Sequence, residues 1–172
     1  MHLQCLHLTK MVKAKILKQS KGERNMPVSV SYFGNIGINT LKFTDTTRKD
    51  YFSSRLTYVN QLLIARKFSN AISLQLTPTF IHRNLVETVE DDNDVWALGA
   101  GGRFKLTQRI SLNLEYYYVF SKQTAKDFHD SFTVGFDIET GGHVFQIFLT
   151  NSNGVADPYT TTQTPRNWID GH

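Results

Sequence analysis

Cysteine is almost absent from this chain, which has one residue of that type among 172. Cys5 alone cannot form an internal disulfide framework or an all-cysteine zinc site. His2 and His7 flank it, but a short stretch at a chain terminus is more often a disordered tail than a metal cluster. We therefore expect residues 1–10 to form a disordered N-terminal tail, and we predict no metal site.

Long apolar runs are also missing. No stretch reaches the roughly 18 apolar residues that a transmembrane helix needs, so a helical membrane span is excluded. The first ten residues lack the basic segment, the apolar segment and the small-residue cleavage site of a secretory signal peptide. Either the chain stays in the cytosol, or the sequence begins inside a longer gene product.

The chain carries no strong charge imbalance. Its net charge is +4, from 19 Lys and Arg against 15 Asp and Glu, and the basic residues are scattered except for an enrichment over residues 11–21. A nucleic-acid-binding protein usually has a compact basic face. We therefore predict no nucleic-acid partner.

No motif for catalysis stands out. His82 and Asn84 with a serine of a neighbouring strand could resemble the triad of an outer-membrane lipid hydrolase, but polar residues where a strand enters a loop need only water. The glycines of residues 99–102 are not a phosphate loop, because no helix follows them. The acidic run 91–94 favours a solvated loop over a calcium site. We predict that the chain is not an enzyme and binds no cofactor.

What the chain does contain is a repeated alternation of apolar and polar residues. Over residues 110–120 the even positions are all apolar or aromatic, whereas the odd positions include Ser111, Asn113 and Glu115. A period of two predicts a β-strand with one apolar and one polar face. The expected strands cover residues 11–18, 27–43, 51–68, 72–84, 95–106, 110–120, 131–140 and 143–151.

The links between these strands alternate in length. Residues 69–71, 107–109 and 141–142 are short turns, whereas 44–50, 85–94 and 121–130 are longer and polar. Short turns at one end and long loops at the other are typical of an outer-membrane barrel. Three-residue turns keep even positions on the apolar face, and the two-residue Gly-Gly turn should move the apolar set to odd positions.

Periodicity alone does not decide whether the apolar face meets lipid or the interior of a soluble, lipocalin-like barrel. Strands of bilayer-crossing length and aromatic residues near both strand ends favour lipid. The opposite face would then line a hydrated lumen. Its polar candidates are Arg55, Gln61, Lys67, Arg83, Arg103, Lys105, Asn113, Glu115, Asp137 and Glu139. Arg103 and Glu115 lie diagonally across one hairpin, so we predict an ion pair between them.

Several segments also resemble a known family. They are Asn25-Met-Pro-Val-Ser-Val30, Arg48-Lys-Asp-Tyr-Phe-Ser-Ser-Arg-Leu56, Gln61-Leu-Leu-Ile-Ala-Arg-Lys-Phe68, His82-Arg-Asn-Leu-Val86, Asn93-Asp-Val-Trp-Ala-Leu-Gly-Ala-Gly-Gly-Arg103, Phe136-Asp-Ile-Glu-Thr-Gly-Gly-His-Val-Phe-Gln146 and Leu149-Thr-Asn-Ser152. Over residues 20–155 the chain resembles a Bacteroidetes-type outer-membrane β-barrel family of unknown function. The resemblance implies a barrel in the bacterial outer membrane and no established reaction or ligand.

The chain differs from this family at both ends. It lacks a signal peptide, has fewer early strands and has no final aromatic-ended strand after residues 168–172, so we expect a fragment whose sheet has two unpaired edges.

We accordingly predict an all-β protein, an antiparallel up-and-down transmembrane β-barrel of about eight strands over residues 11–151. Residues 152–172 are expected to be a loop or a disordered segment. The predicted role is a pore, a small-solute channel with a slight preference for anions, or a structural envelope protein. Its expected partners are outer-membrane lipid and small solutes. The alternatives are a soluble lipocalin-like barrel that binds an apolar ligand and, more distantly, an outer-membrane lipid hydrolase.

Overall fold

The computed structural model describes residues 7–22, 25–40, 51–86, 92–120 and 130–152. They form one antiparallel sheet in which each strand pairs with the next strand along the chain. The strands are β1 His7–Leu17, β2 Ser29–Asn39, β3 Leu56–Lys67, β4 Ile72–Arg83, β5 Asp94–Lys105, β6 Ile110–Val119, β7 Ser131–Glu139 and β8 Val144–Thr150, with a 3-10 helix, Phe52–Arg55, before β3. The part of the chain that the structure describes has no helix long and apolar enough to cross a membrane.

The short turns fix the register of their hairpins as predicted. The Phe68 N–H donates to the Ile72 carbonyl at 3.0 Å, which closes the first three-residue turn. Gly141 and Gly142 both have positive φ, at 63° and 151°, a region that side-chain-bearing residues avoid. Beyond them Phe145 pairs with Ile138, so the apolar positions change from even to odd. The end of the sheet with these turns is called the short-turn end, and the opposite end the long-loop end.

Two expected boundaries were wrong. β1 begins at His7, so residues 7–10 belong to a strand and not to the expected tail, because residues 36–39 of β2 provide hydrogen-bonding partners for them. Residues 52–55 form a 3-10 helix where a strand was expected, since the Ser54 N–H donates to the Tyr51 carbonyl at 3.0 Å. The expected segments 1–6 and 153–172 lie outside the described residues.

The two faces of the sheet differ sharply in exposure. On β5, Val95 is 1% exposed whereas its neighbour Trp96 is 58% exposed. On β3 to β7 the odd positions form the buried face, here called the inner face, and the even positions form the outer face. Apolar side chains dominate the exposed outer face, for example Leu74, Leu76, Trp96, Tyr116, Tyr118, Phe132 and Phe136. A soluble lipocalin-like barrel would have the reverse arrangement, so that alternative is wrong for this sheet.

The sheet does not close within the described residues. β1 and β8 are its two edge strands, and neither pairs with the other. Thr9 to Leu17 of β1 and Val144 to Leu149 of β8 are all exposed. The prediction of a sheet with two unpaired edges is therefore confirmed, and the architecture is that of an incomplete, up-and-down β-barrel.

Candidate functional site

The register of the strands arranges the inner-face side chains in rows across the sheet. One row in from the Thr57–Arg83 pair at the long-loop end, Val59 pairs with Ile81, and Ile81 pairs with Val95. These three side chains are 1–2% exposed and pack with Ala97 and Val119 of the next row. The inner face therefore has a buried apolar layer at its long-loop end, made of these five residues.

Tyr117 lies directly below this apolar layer. It pairs with Gly99 on β5, and its ring occupies the space over that glycine. A methyl carbon at position 99 would lie 2.5 Å from Tyr117 Cε1, so only glycine permits this contact. The Tyr117 hydroxyl is close to Gln61 and Thr77. The ring thus lies between the apolar layer and the short-turn half of the inner face, while Gln61 and Thr79 share a row with Ala97 and Val119.

The short-turn half of the inner face contains a polar cleft of about 250 Å³. Asp137 is its most connected residue. Gln146 Nε2 donates to Asp137 Oδ1 at 2.9 Å, and Arg103 Nε lies 3.6 Å from Asp137 Oδ2. Asn113 also donates a hydrogen bond to Asp137. The other polar residues of the cleft are Glu115 and Thr133, and its apolar walls are Leu114, Phe136, Ile147 and Phe148.

Gly135 forms the floor of this cleft. A methyl carbon there would lie 3.4 Å from Phe148 Cβ and 3.8 Å from Asn113 Cβ. The long Arg103 side chain crosses β6 and reaches the carboxylates of β7. Beside the cleft, the Arg103 guanidinium faces two carboxylates, Asp137 and Glu139, each at 3.6 Å.

The predicted ion pair between Arg103 and Glu115 is wrong. Arg103 pairs with Asn113 in the register, as expected, but its guanidinium interacts with the β7 carboxylates instead. Glu115 pairs with Gly101 and lies beside Tyr117. The prediction considered only the hairpin of β5 and β6, whereas the long Arg103 side chain extends across β6 to β7.

The other predicted polar candidates are spread over the inner face. Gln61 and Arg83 are buried toward the long-loop end, where Gln61 Nε2 donates to Thr79 Oγ1 at 3.1 Å. Lys67 and Lys105 are exposed at the short-turn end. Arg55 lies in the 3-10 helix and outside the sheet. Only Arg103, Asn113, Glu115, Asp137 and Glu139 come together around the cleft.

The alternation of residues 110–120 places Tyr117 on this face, but the list of predicted polar candidates includes neither Tyr117 nor Gln146. Beyond the Gly-Gly turn the inner face takes even-numbered positions instead of odd-numbered ones, and this change was sufficient to place Gln146 beside Asp137. Tyr117 interrupts the rule that aromatic residues of β6 occupy even positions, and it lies opposite a glycine. An aromatic residue facing a glycine across two strands is a recognisable pair, because the ring covers the exposed backbone.

The residues considered for hydrolysis lie elsewhere. His82 is on the outer face at the long-loop end, with Nδ1 2.5 Å from Asp94 Oδ1. Asn84 Nδ2 donates to the Ser53 carbonyl at 2.7 Å. Within the described ranges, no serine hydroxyl is hydrogen-bonded to His82, and no three acidic, histidine or cysteine residues gather as metal ligands. Asp91 of the acidic run lies outside those ranges.

The outer face carries aromatic residues at both of its ends. Phe80 and Trp96 contact each other at the long-loop end, with ring centroids 4.7 Å apart. Phe68 and Phe104 lie at the short-turn end, and aliphatic rows such as Leu76 and Ala100 lie between. An exposed apolar band between two aromatic borders defines a β-barrel that crosses a membrane with its strands.

Comparison with known proteins agrees with this class. The chain belongs to the family of membrane-bound β-barrel domains (DUF5777), whose family model matches residues 7–172. No curated protein and no solved structure matches the chain.

Proposed function

We propose that the chain is a bacterial outer-membrane barrel protein of the Bacteroidetes type that serves as a structural envelope protein and does not conduct ions at rest. The observation that carries this proposal is the buried apolar layer on the inner face. Val59, Ile81 and Val95 form a continuous apolar row at the long-loop end, each at most 2% exposed. An apolar constriction excludes water and so blocks ions.

The alternation of short turns and long links supports the outer membrane in particular. Barrels of that membrane have short periplasmic turns and longer external loops. On this basis the polar cleft faces the periplasm and the apolar layer faces the cell exterior. A water-filled vestibule would then enter from the periplasmic side and end at Tyr117.

A second candidate function is a narrow channel for small solutes. The cleft favours it, since the amides of Asn113 and Gln146 and the carboxylates of Glu115 and Asp137 line a space of about 250 Å³ that can hold a small hydrophilic molecule. Arg103 is offset by Asp137 and Glu139, so this cleft gives no support to the expected preference for anions.

Ion conductance across planar bilayers tests the proposal. We expect the wild-type protein to be silent, and we expect Val95→Ser and Val119→Ser to produce measurable openings because they make the apolar layer polar. Val134→Ser is the matched control, since Val134 pairs with Leu114 and Leu149 on the outer face.

Steady conductance of the wild-type protein would contradict the proposal and favour the channel. Silence of both layer variants, with a β-sheet circular dichroism spectrum equal to that of the wild-type protein, would show that the apolar layer is not the seal.

A further inference from the structure

The outer face has a groove of about 480 Å³ within its apolar band. Its base is β5, where the small residues Ala100 and Gly102 occupy successive outer positions. The walls are larger side chains of the neighbouring strands: Leu74, Leu76, Leu114 and Tyr116. The groove arises because two adjacent rows combine small central residues with large flanking ones.

The positively charged side chain of Arg66 lies at the short-turn end of this groove. Arg66 and Phe68 both line it, and the Arg66 guanidinium carbon lies 4.7 Å from the centroid of the Phe68 ring. Arg66 is exposed, and it makes no salt bridge with any carboxylate in the described part of the chain. An arginine on the lipid-facing surface destabilises a barrel strongly near the bilayer centre and only slightly near the interface. Its position next to the strand end therefore brings the charge to headgroup level.

We propose that this groove binds one acyl chain of an anionic phospholipid, with the lipid phosphate against Arg66. The apolar lining matches a hydrocarbon chain. The planar guanidinium matches phosphate oxygens, which it can hold with two parallel hydrogen bonds. Stacking on Phe68 orients the guanidinium before the lipid arrives.

Charge distribution favours a lipid over a second copy of the chain. Asp94 and Asp130 bond to the outer-face side chains of His82 and Tyr116, and both lie at the long-loop end, far from Arg66 along the strands. Glu115 also lines the groove, but it occupies an inner-face position on β6, beside Tyr117. A second copy with the same orientation in the membrane would therefore leave Arg66 without an anionic partner.

Native mass spectrometry of the full chain in detergent micelles tests this proposal, with phosphatidylglycerol and phosphatidylcholine of equal chain length as probes. We expect the wild-type protein to retain one phosphatidylglycerol about fivefold better, the factor for one cation near an anionic headgroup. Arg66→Gln should abolish this preference. Ala100→Phe should fill the groove and reduce retention of both lipids. Arg109→Gln is the control, because Arg109 lies in a turn at the same end of the sheet and does not line the groove.

An unchanged preference in Arg66→Gln, or equal retention of the two lipids by the wild-type protein, would overturn the proposal. A dimer that forms as lipid is lost, and that Ala100→Phe disrupts, would identify a second copy as the occupant instead. Arg66→Gln changes an exposed side chain, so it keeps the proposal testable even if Ala100→Phe does not fold. Bilayer conductance is not expected to change in Arg66→Gln, which separates this proposal from that of the sealed interior.

Discussion

The contact between Tyr117 and Gly99 gives the sharpest stability prediction. A methyl carbon at position 99 would lie 2.5 Å from Tyr117 Cε1, 2.7 Å from Cζ and 3.0 Å from Cδ1. Carbon atoms normally approach to about 3.5–4.0 Å, so the ring has to move by roughly 1 Å. Tyr117 is only 7% exposed, which leaves the ring little room. We expect Gly99→Ala to lower the free energy of unfolding by about 1–3 kcal/mol, the usual cost of overpacking.

Gly101 provides a matched control on the same strand and face. A methyl carbon there would find its nearest neighbour, the Leu114 carbonyl oxygen, at 3.7 Å, an ordinary contact. Alanine also loses less backbone entropy on folding than glycine does. We therefore expect Gly101→Ala to leave the free energy of unfolding unchanged or to raise it by up to about 1 kcal/mol.

Urea unfolding of the protein refolded into lipid vesicles measures these differences. A double-mutant cycle then assigns the cost to the ring, because Gly99→Ala should become harmless when Tyr117→Ala has removed it. The expected coupling energy is about 1–3 kcal/mol. Equal effects of Gly99→Ala and Gly101→Ala, or additivity of Gly99→Ala with Tyr117→Ala, would refute the reasoning.

Two further predictions concern the faces and the edges of the sheet. Leu114 pairs with Gly102 and Val134 on the outer face, and Asn113 pairs with Arg103 and Gly135 on the inner face. In the same urea titration Leu114→Arg should lower the free energy of unfolding by about 2–4 kcal/mol, and Asn113→Arg should lower it much less. Equal effects of the two substitutions would refute the assignment of the faces. Among the described strands, β1 and β8 each pair on one side only, so in detergent their amide hydrogens should exchange much faster than those of β4 and β5. Uniform protection of all strands would show that both edges are paired.

Local sequence rules account for most of the sheet. The two-residue alternation identified every strand of the described sheet, and turn length fixed the register of the hairpins closed at Ile72, Ile110 and His143. These features are predictable because a strand has only two faces and a tight turn leaves one way to pair its flanking residues. Boundaries were less certain where pairing with another strand decides them. β1 extends to His7 only because β2 continues to Asn39.

The candidate site was predictable only in part. Parity placed Arg103, Asn113 and Asp137 on one face, and all three meet at the polar cleft. It did not reveal that Arg103 reaches β7, since alternation along a strand does not show how far a long side chain extends across the neighbouring strand.

By itself, then, the sequence determined the direction of each side chain, toward one face of the sheet or the other, because alternation along a strand depends only on local backbone geometry. The tertiary structure decided which face is exposed and what lies beside each residue on it. Stacking Tyr117 on Gly99 and opening a groove over Ala100 both require neighbouring strands to lie side by side, whereas Arg66 and Phe68 are only two residues apart in the sequence. The lateral order and curvature of the strands set those neighbours, and a period of two carries no information about either.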